Sequence, residues 1–199
     1  MKTLSKESEP IRSFIAVNLT EGLRQPLSQL QEVLRAPAAD VSWVRPENLH
    51  LTLKFLGEVS AKRLDTVKVV LQGIARTMPP FILSLSGLGA FPNSRAPRVV
   101  WVGIQDGALE LQRLQEGLET ALGLRGFPRE GRSYTPHLTL GRVRSPRNRE
   151  GLAECLSTLK AEYLGGMQVE RVDLMRSDLS PKGAIYTILE GFPLGRPET

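Results

Sequence analysis

Two stretches, HLTLKFLG at residues 50–57 and HLTLGRVR at residues 137–144, open on the same tetrapeptide. The chain has 199 residues and only two histidines, and both stand at the head of this motif. Along a β-strand, residues i and i+2 point to one face. His50 and Thr52 therefore share a face opposite Leu51 and Leu53, and His137 and Thr139 likewise oppose Leu138 and Leu140. The leucines anchor each strand, and the imidazole and hydroxyl project together from the other side. Given a histidine, a matching Leu-Thr-Leu arises by chance in on the order of one case in a thousand at ordinary residue frequencies. The rest of the two halves differs strongly while these four letters match, which favours chemistry over inherited packing.

Outward from the motifs, each half follows one pattern: strand, helix, HLTL strand, helix, strand. RSFIAVNL (12–19) is short, apolar and β-branched, as a buried strand is. Leu23, Leu27, Leu30 and Leu34 recur at helical spacing after a capping Thr20, with Pro26 either tolerated or marking a later start. VSWVRPEN predicts a strand running into a turn, and LHLTLKFLG a strand closed by Gly57. Helices are predicted over 61–76, 107–124 and LAECLSTLKA, with SPRNREG as a loop before the last. FILSLSGLGAFP, RVVWVGI, YTPHLTLGRVR, MQVERVDLMRSDL and AIYTILEGFPL predict strands, the last two forming a hairpin through SPKG.

The two histidines lie 87 positions apart, a period too long for a solenoid. The duplication predicts an α+β fold of two pseudo-symmetric lobes, each an antiparallel-rich sheet with outer helices, with the HLTL strands facing a central cleft. We expect a flexible tail at 1–11 and a single bilobal domain over 12–195, its repeats at about 12–92 and 97–194.

Composition is that of an ordinary soluble domain, 41% hydrophobic and 24% charged. The longest apolar runs, FIAVNL and VVWVGI, are too short to span a bilayer, so no membrane association is expected. The opening MKTLSKESEP lacks the apolar core of a secretory signal, which predicts a cytoplasmic protein. Cys155 is the only cysteine, so an internal disulfide is excluded, and its neighbours lack zinc spacing. A net charge of +5 favours anionic partners. Much of it gathers near the second motif, from Arg125 to Arg149.

Two histidines and two hydroxyls without a carboxylate or thiolate cluster would hold zinc or iron weakly, so no metal and no cofactor is expected. A serine triad uses one histidine, not a symmetric pair. Two facing imidazoles suit displacement at phosphorus: one accepts a proton from water while the other protonates the leaving oxygen. Threonine hydroxyls can donate to the non-bridging oxygens, whose charge grows in the transition state. A strained five-membered 2′,3′-cyclic phosphate needs no metal for this chemistry.

On RSFIAVNL, WVRPENLHLTLKFLGEV, RVVWVGI and YTPHLTLGRVR, the sequence resembles the 2H phosphoesterase superfamily, which is defined by two His-x-Thr motifs. Within it the chain is most similar to the bacterial and archaeal RNA 2′,3′-cyclic phosphodiesterases, also called 2′-5′ RNA ligases, over residues 12 to about 194. That resemblance implies a cleft between two lobes, His50 as the proton donor to the leaving 3′ oxygen, His137 as the proton acceptor from water, and a 2′-phosphate product. It implies Thr52 and Thr139 as phosphate ligands. It also implies an aromatic at Phe55 and an arginine at Arg142, three residues after the threonines. The implied partner is RNA with 2′,3′-cyclic phosphate ends, tRNA halves among them, acted on by a monomer. Reverse 2′-5′ ligation, cleavage of small cyclic nucleotides or 2′,5′-oligoadenylates, and RNA-end binding without turnover would draw on the same residues.

Arg142 offers a bidentate donor to phosphate. Strict alternation points it away from His137, so Gly141 must bulge the strand if Arg142 is to reach the phosphate. Phe55, Tyr134, Trp43 and Trp101 are each more readily explained as packing, with Phe55 and Tyr134 the better candidates for base contact. Arg147 and Arg149 are candidates for an RNA phosphate track.

Overall fold

The computed structural model describes residues 9–159, 161–181 and 183–195. The strands are β1 (Ile11–Asn18), β2 (Val41–Trp43), β3 (His50–Val59), β4 (Phe81–Phe91), β5 (Val99–Ile104), β6 (His137–Val143), β7 (Gly165–Val169), β8 (Arg171–Ser180) and β9 (Gly183–Pro193). The helices are α1 (Glu21–Arg35), α2 (Ala61–Thr77), α3 (Ala108–Gly123) and α4 (Arg149–Thr158), and a 3-10 turn at Pro46–Asn48 leads into β3. One sheet has the order β3-β1-β8-β9 and the other β2-β6-β5-β4-β7, and all the ladders are antiparallel. This is the expected α+β architecture of two sheets, each with one HLTL strand.

The repeats exchange strands. The shared pattern is HLTL strand, first strand, then a hairpin-like pair: β3-β1-β8-β9 in one sheet and β6-β5-β4-β7 in the other, with β2 added outside β6. The strand β4 comes from the first repeat yet pairs with β5 of the second. Conversely β8 comes from the second repeat and pairs with β1 of the first. The lobes are therefore not the sequence halves, and each sheet is completed by the other repeat.

Apolar periodicity accounts for the layers. On α1, Leu23, Leu27, Gln31 and Leu34 are buried, and the helix continues through Pro26 from its start at Glu21. Helices α2 and α3 pack on the first sheet and on each other, and α1 and α4 pack on the second sheet. A single apolar core runs beneath both sheets and holds Leu51, Leu53, Leu138 and Leu140. Burying each such leucine contributes about 1.5–3 kcal/mol. The opposite face of the first sheet carries a separate small cluster of Phe14, Ala16 and Met175, with Tyr186 against it.

Several boundaries differ from expectation. MQVERVDLMRSDL is not one strand: it breaks at Glu170 into β7 of the second sheet and β8 of the first. Val169 and Val172 are both buried with the charged Glu170 and Arg171 exposed between them, so the two-residue period slips by one at this point. Gly57 does not close β3. It sits inside the strand at φ +71°, beside a register shift against β1, and the strand runs on to Val59. The loop expected over SPRNREG is shorter, since Arg149 opens α4, and α4 ends at Thr158 rather than reaching residue 161. Residues 1–8 of the expected tail lie outside the described residues, and Ile11 is already paired with Val59.

Candidate active site

The two motifs are built alike. His50 and Thr52 are half-buried while Leu51 and Leu53 are buried, and His137 and Thr139 repeat this against Leu138 and Leu140. Each imidazole is held through Nδ1 by the carbonyl two residues earlier: Asn48 O for His50 and Thr135 O for His137, both at 2.7 Å. A carbonyl only accepts, so Nδ1 carries the hydrogen and Nε2 is the nitrogen left to gain or lose a proton. His50 Nε2 lies 3.0 Å from Thr52 Oγ1, whose hydroxyl donates to it when the ring is neutral.

Aromatic rings collar both histidines. Phe14 and Tyr186 lie 4.9 Å and 5.1 Å from the His50 ring, centroid to centroid. Phe91 lies 5.0 Å from His137, edge to face, and Trp101 6.4 Å away. Withdrawal from water opposes the charged imidazolium. Burial lowers His50 below the ordinary histidine value, against the opposing bond to Asn48 O. His137 is lowered first by burial, against the bond to Thr135 O, and further by the positive charge of Arg142.

Arg142 reaches this face because β6 bulges. Trp101 pairs with Thr139 but Val100 pairs with Gly141, so Leu140 is an extra residue in the ladder. Leu140 and Gly141 are consecutively buried, and Arg142 emerges exposed on the side of His137 and Thr139. The bulge anticipated at Gly141 is therefore present. A Cβ on Gly141 would meet Val41 Cγ1 at 2.7 Å and Trp43 Cε3 at 2.9 Å, so glycine lets β2 close against the bulge. The first motif bulges at the same place: Ile15 pairs with Lys54 and Ala16 with Thr52, leaving Leu53 extra and bringing Phe55 out, 57% exposed. Phe55 and Arg142 thus occupy equivalent positions in the two repeats.

Where the second motif has Gly141, the first has Lys54, 1% exposed. Its Nζ donates to Glu119 Oε1 of α3 at 2.5 Å and to Pro128 O at 2.9 Å, and Glu119 Oε2 accepts from the Glu130 N–H. This pair fastens the segment that leads into β6. Tyr134, on that segment, donates its hydroxyl to Thr52 O at 3.1 Å. Burial, reinforced by Glu130, raises the Tyr134 phenol above its usual value, so it stays a donor. Sequence reasoning offered Tyr134 as a base contact; its hydroxyl is turned to the backbone of the other motif.

A cavity of about 340 Å³ lies beside the end of β6, lined among others by Ser42, Trp43, Arg45, Arg142, Arg144 and Tyr186, and none of the two histidines and two threonines lines it. Asn48, whose carbonyl holds His50, also borders it and donates its side-chain amide to Ala184 O. Arg147 and Arg149 are not part of this lining. Arg149 borders a separate cavity with Pro37 and Pro146, beyond the end of α1. Tyr186 and Arg45 were not singled out from the sequence, and Arg144 entered only as part of the Arg125–Arg149 cluster. Nothing local marks Tyr186, because it comes from β9, three strands away from His50 in the sheet order. Among the described residues, no group of three or more His, Cys, Asp or Glu side chains gathers where a metal ion would be held. Cys155 is half-buried on α4, away from both motifs in sequence and element.

The fold thus carries two pseudo-equivalent His-x-Thr strands, each with its imidazole held through Nδ1. The model of the LigT like phosphoesterase family matches the chain twice, over residues 17–101 and 102–186. The chain belongs to this family. It is 45% identical to the RNA 2′,3′-cyclic phosphodiesterase of Methanothermobacter thermautotrophicus, over 92% of this chain and 99% of that protein. It is 36% identical to the Thermus thermophilus protein of the same name, over 92% and 90% of the two chains. Among solved structures, TT0787 of Thermus thermophilus superposes with a TM-score of 0.78 at 33% identity, covering 94% of this chain and all of that one. Escherichia coli LigT complexed with 3′-AMP superposes with a TM-score of 0.75 at 28% identity, covering 94% of this chain and all of that one.

Among the described residues no helix is long and apolar enough to cross a membrane.

Proposed function

We propose that this chain is an RNA 2′,3′-cyclic phosphodiesterase in which His137 and His50 act as base and acid on opposite sides of one phosphorus. The observation that carries this reading is the matched pair of imidazoles, each pinned at Nδ1 and each left with Nε2 for proton transfer. Water gives a proton to His137 Nε2 as its oxygen bonds to phosphorus. The bond from phosphorus to the 3′ oxygen breaks, and that oxygen takes the proton of His50. A 2′-phosphomonoester and a free 3′-hydroxyl result. Thr52, Thr139 and Arg142 donate to the non-bridging oxygens as charge builds on them. The collars of aromatic rings exclude bulk water, which strengthens these contacts.

The relatives' shared name supports an RNA end as substrate. The protein works as a cytoplasmic monomer on RNA ends such as those of tRNA halves, with residues 12–195 as the catalytic domain. The reverse step, attack of a 5′-hydroxyl end on the cyclic phosphate, uses the same two histidines. Incubation of a short RNA bearing a 2′,3′-cyclic phosphate, followed by phosphorus NMR of the product, tests the reading. The expected product carries its phosphate on the 2′ oxygen; a 3′-phosphate product or an intact cyclic end overturns it.

A further inference from the structure

The two histidines have different neighbours across their sheets. Asn18 of β1 stands opposite His50, and Gly103 of β5 stands opposite His137. Directly opposed residues of an antiparallel pair share a face, so Asn18 lies on the face of His50 and Thr52. Its amide is held on that face: Nδ2 donates to Asp173 Oδ2 at 2.7 Å and to Met175 Sδ at 3.3 Å. Asp173 is 1% exposed, and its Oδ1 lies 3.0 Å from Arg171 Nε. A carboxylate only accepts, so the amide has one orientation, with its nitrogen toward Asp173 and Oδ1 turned away. Among the described residues no donor meets Asn18 Oδ1, which is open to solvent on a half-buried side chain. The second repeat has no counterpart, since a Cβ on Gly103 would meet Ser86 O at 2.7 Å and a side chain there is crowded out. A fixed acceptor thus stands beside one histidine only.

We infer that Asn18 is a binding residue for the leaving group, its Oδ1 accepting a hydrogen bond from the 3′-hydroxyl formed at His50. The inference rests on the proposed activity and adds a residue to it. A 2′,3′-cyclic phosphate has no hydroxyl at either of these positions, so the substrate offers Oδ1 no donor there. The reaction makes the donor. The bond from phosphorus to O3′ breaks, O3′ takes the proton of His50 Nε2, and the new hydroxyl has one hydrogen to donate. The neutral Nε2 then accepts from the Thr52 hydroxyl, 3.0 Å away. Asn18 Oδ1 is left to take the hydrogen of the 3′-hydroxyl. The contact gains strength only as the O3′–H bond forms, so it favours the opened product over the ring and opposes reclosure. At His137 the entering water gives its proton to Nε2, and Gly103 supplies no acceptor in competition.

The test measures dissociation constants by isothermal titration calorimetry for three ligands. They are adenosine 2′-phosphate, its 3′-deoxy analogue, and its 3′-deoxy-3′-fluoro analogue, which keeps an electronegative atom but has no hydrogen to donate. Wild type is expected to bind the 3′-hydroxyl compound on the order of fivefold more tightly than either analogue, the worth of one neutral hydrogen bond. In Asn18→Ala the three are expected to bind alike. That substitution takes a partner from the buried Asp173 carboxylate, so a second variant, Asn18→Leu with Asp173→Leu, removes the charge as well. It is expected to give the same levelled pattern, with folding checked by circular dichroism. Equal binding of the hydroxyl and fluoro compounds by wild type, or a wild-type preference kept by a folded Asn18 variant, overturns the contact and leaves the activity standing. A cyclic-ended RNA opened to a 3′-phosphate overturns the activity as proposed, since the oxygen released beside His50 is then the 2′.

Discussion

Each histidine is tuned by the few groups around its ring. Burial lowers both imidazoles below the ordinary value of about 6.5. In the proposed mechanism the active form has His137 neutral and His50 charged. A lowered His137 moves the acid limb of kcat/KM to lower pH, and a lowered His50 moves the alkaline limb the same way. The bell-shaped profile of the free enzyme is therefore expected to peak on the acid side of 6.5. Arg142 is one of the causes acting on His137. Arg142→Ala is expected to lower turnover and to shift the acid limb toward higher pH, because removal of the positive charge makes the imidazolium easier to form. A pH–rate series on wild type and variant checks this; an unmoved acid limb would show that Arg142 does not act on the base. The histidines and threonines were legible because a repeated motif in a histidine-poor chain stands out. Arg142 was legible on condition of a bulge, and the bulge is there. Tyr186 and Arg45 were not legible as neighbours of the motifs, since only tertiary folding brings β9 and the segment after β2 to them, whereas Arg144 was legible only as one arginine of the cluster around the second motif.

At the scale of elements, the bulges decide which side chains face the cleft, and the two repeats fill them differently. Gly141 admits β2 against the second bulge, whereas Lys54 fills the first with a charge bonded to Glu119 and Pro128 O. Removing one member of such a buried pair leaves the other uncompensated. Lys54→Met is expected to cost about 3–5 kcal/mol of stability, while Lys54→Met with Glu119→Leu recovers much of that loss. Urea unfolding of the single and double variants measures it; a double variant as unstable as the single would mean the charges are not paired in the folded protein. Because the pair fastens the segment that carries Tyr134 and Thr135 to β6, Lys54→Met is also expected to lower kcat more than it changes KM. Most strands and helices were legible from period alone, but the break at Glu170 was not. A strand that leaves one sheet for another keeps its apolar alternation and shows only a one-residue slip, at Val169 and Val172.

At the scale of the whole molecule, the duplicated sequence does not divide into two independent units. Each sheet takes two strands from the other repeat, β8 and β9 in one and β2 and β4 in the other, and a single apolar core lies beneath both. Unfolding followed by far-ultraviolet circular dichroism and by tryptophan fluorescence is expected to give coincident urea transitions, since neither lobe is complete without the other. Two separate transitions would contradict this. Two lobes and a cleft were legible from the repeat, but strand exchange was not, because a repeat fixes the order of elements and leaves open which copy completes each sheet. The exchange sets both imidazoles in one body, the fixed relation that the proposed paired proton transfer would require. Single-turnover opening of a 2′,3′-cyclic RNA end by wild type, His50→Ala, His137→Ala and the double variant tests that pairing most directly. Each single substitution is predicted to slow the reaction on the order of 10²-fold or more, and the double variant to be little slower than either single. A folded single variant with near wild-type rate, or a double variant slowed by the product of the two single effects, would contradict catalysis by a paired acid and base.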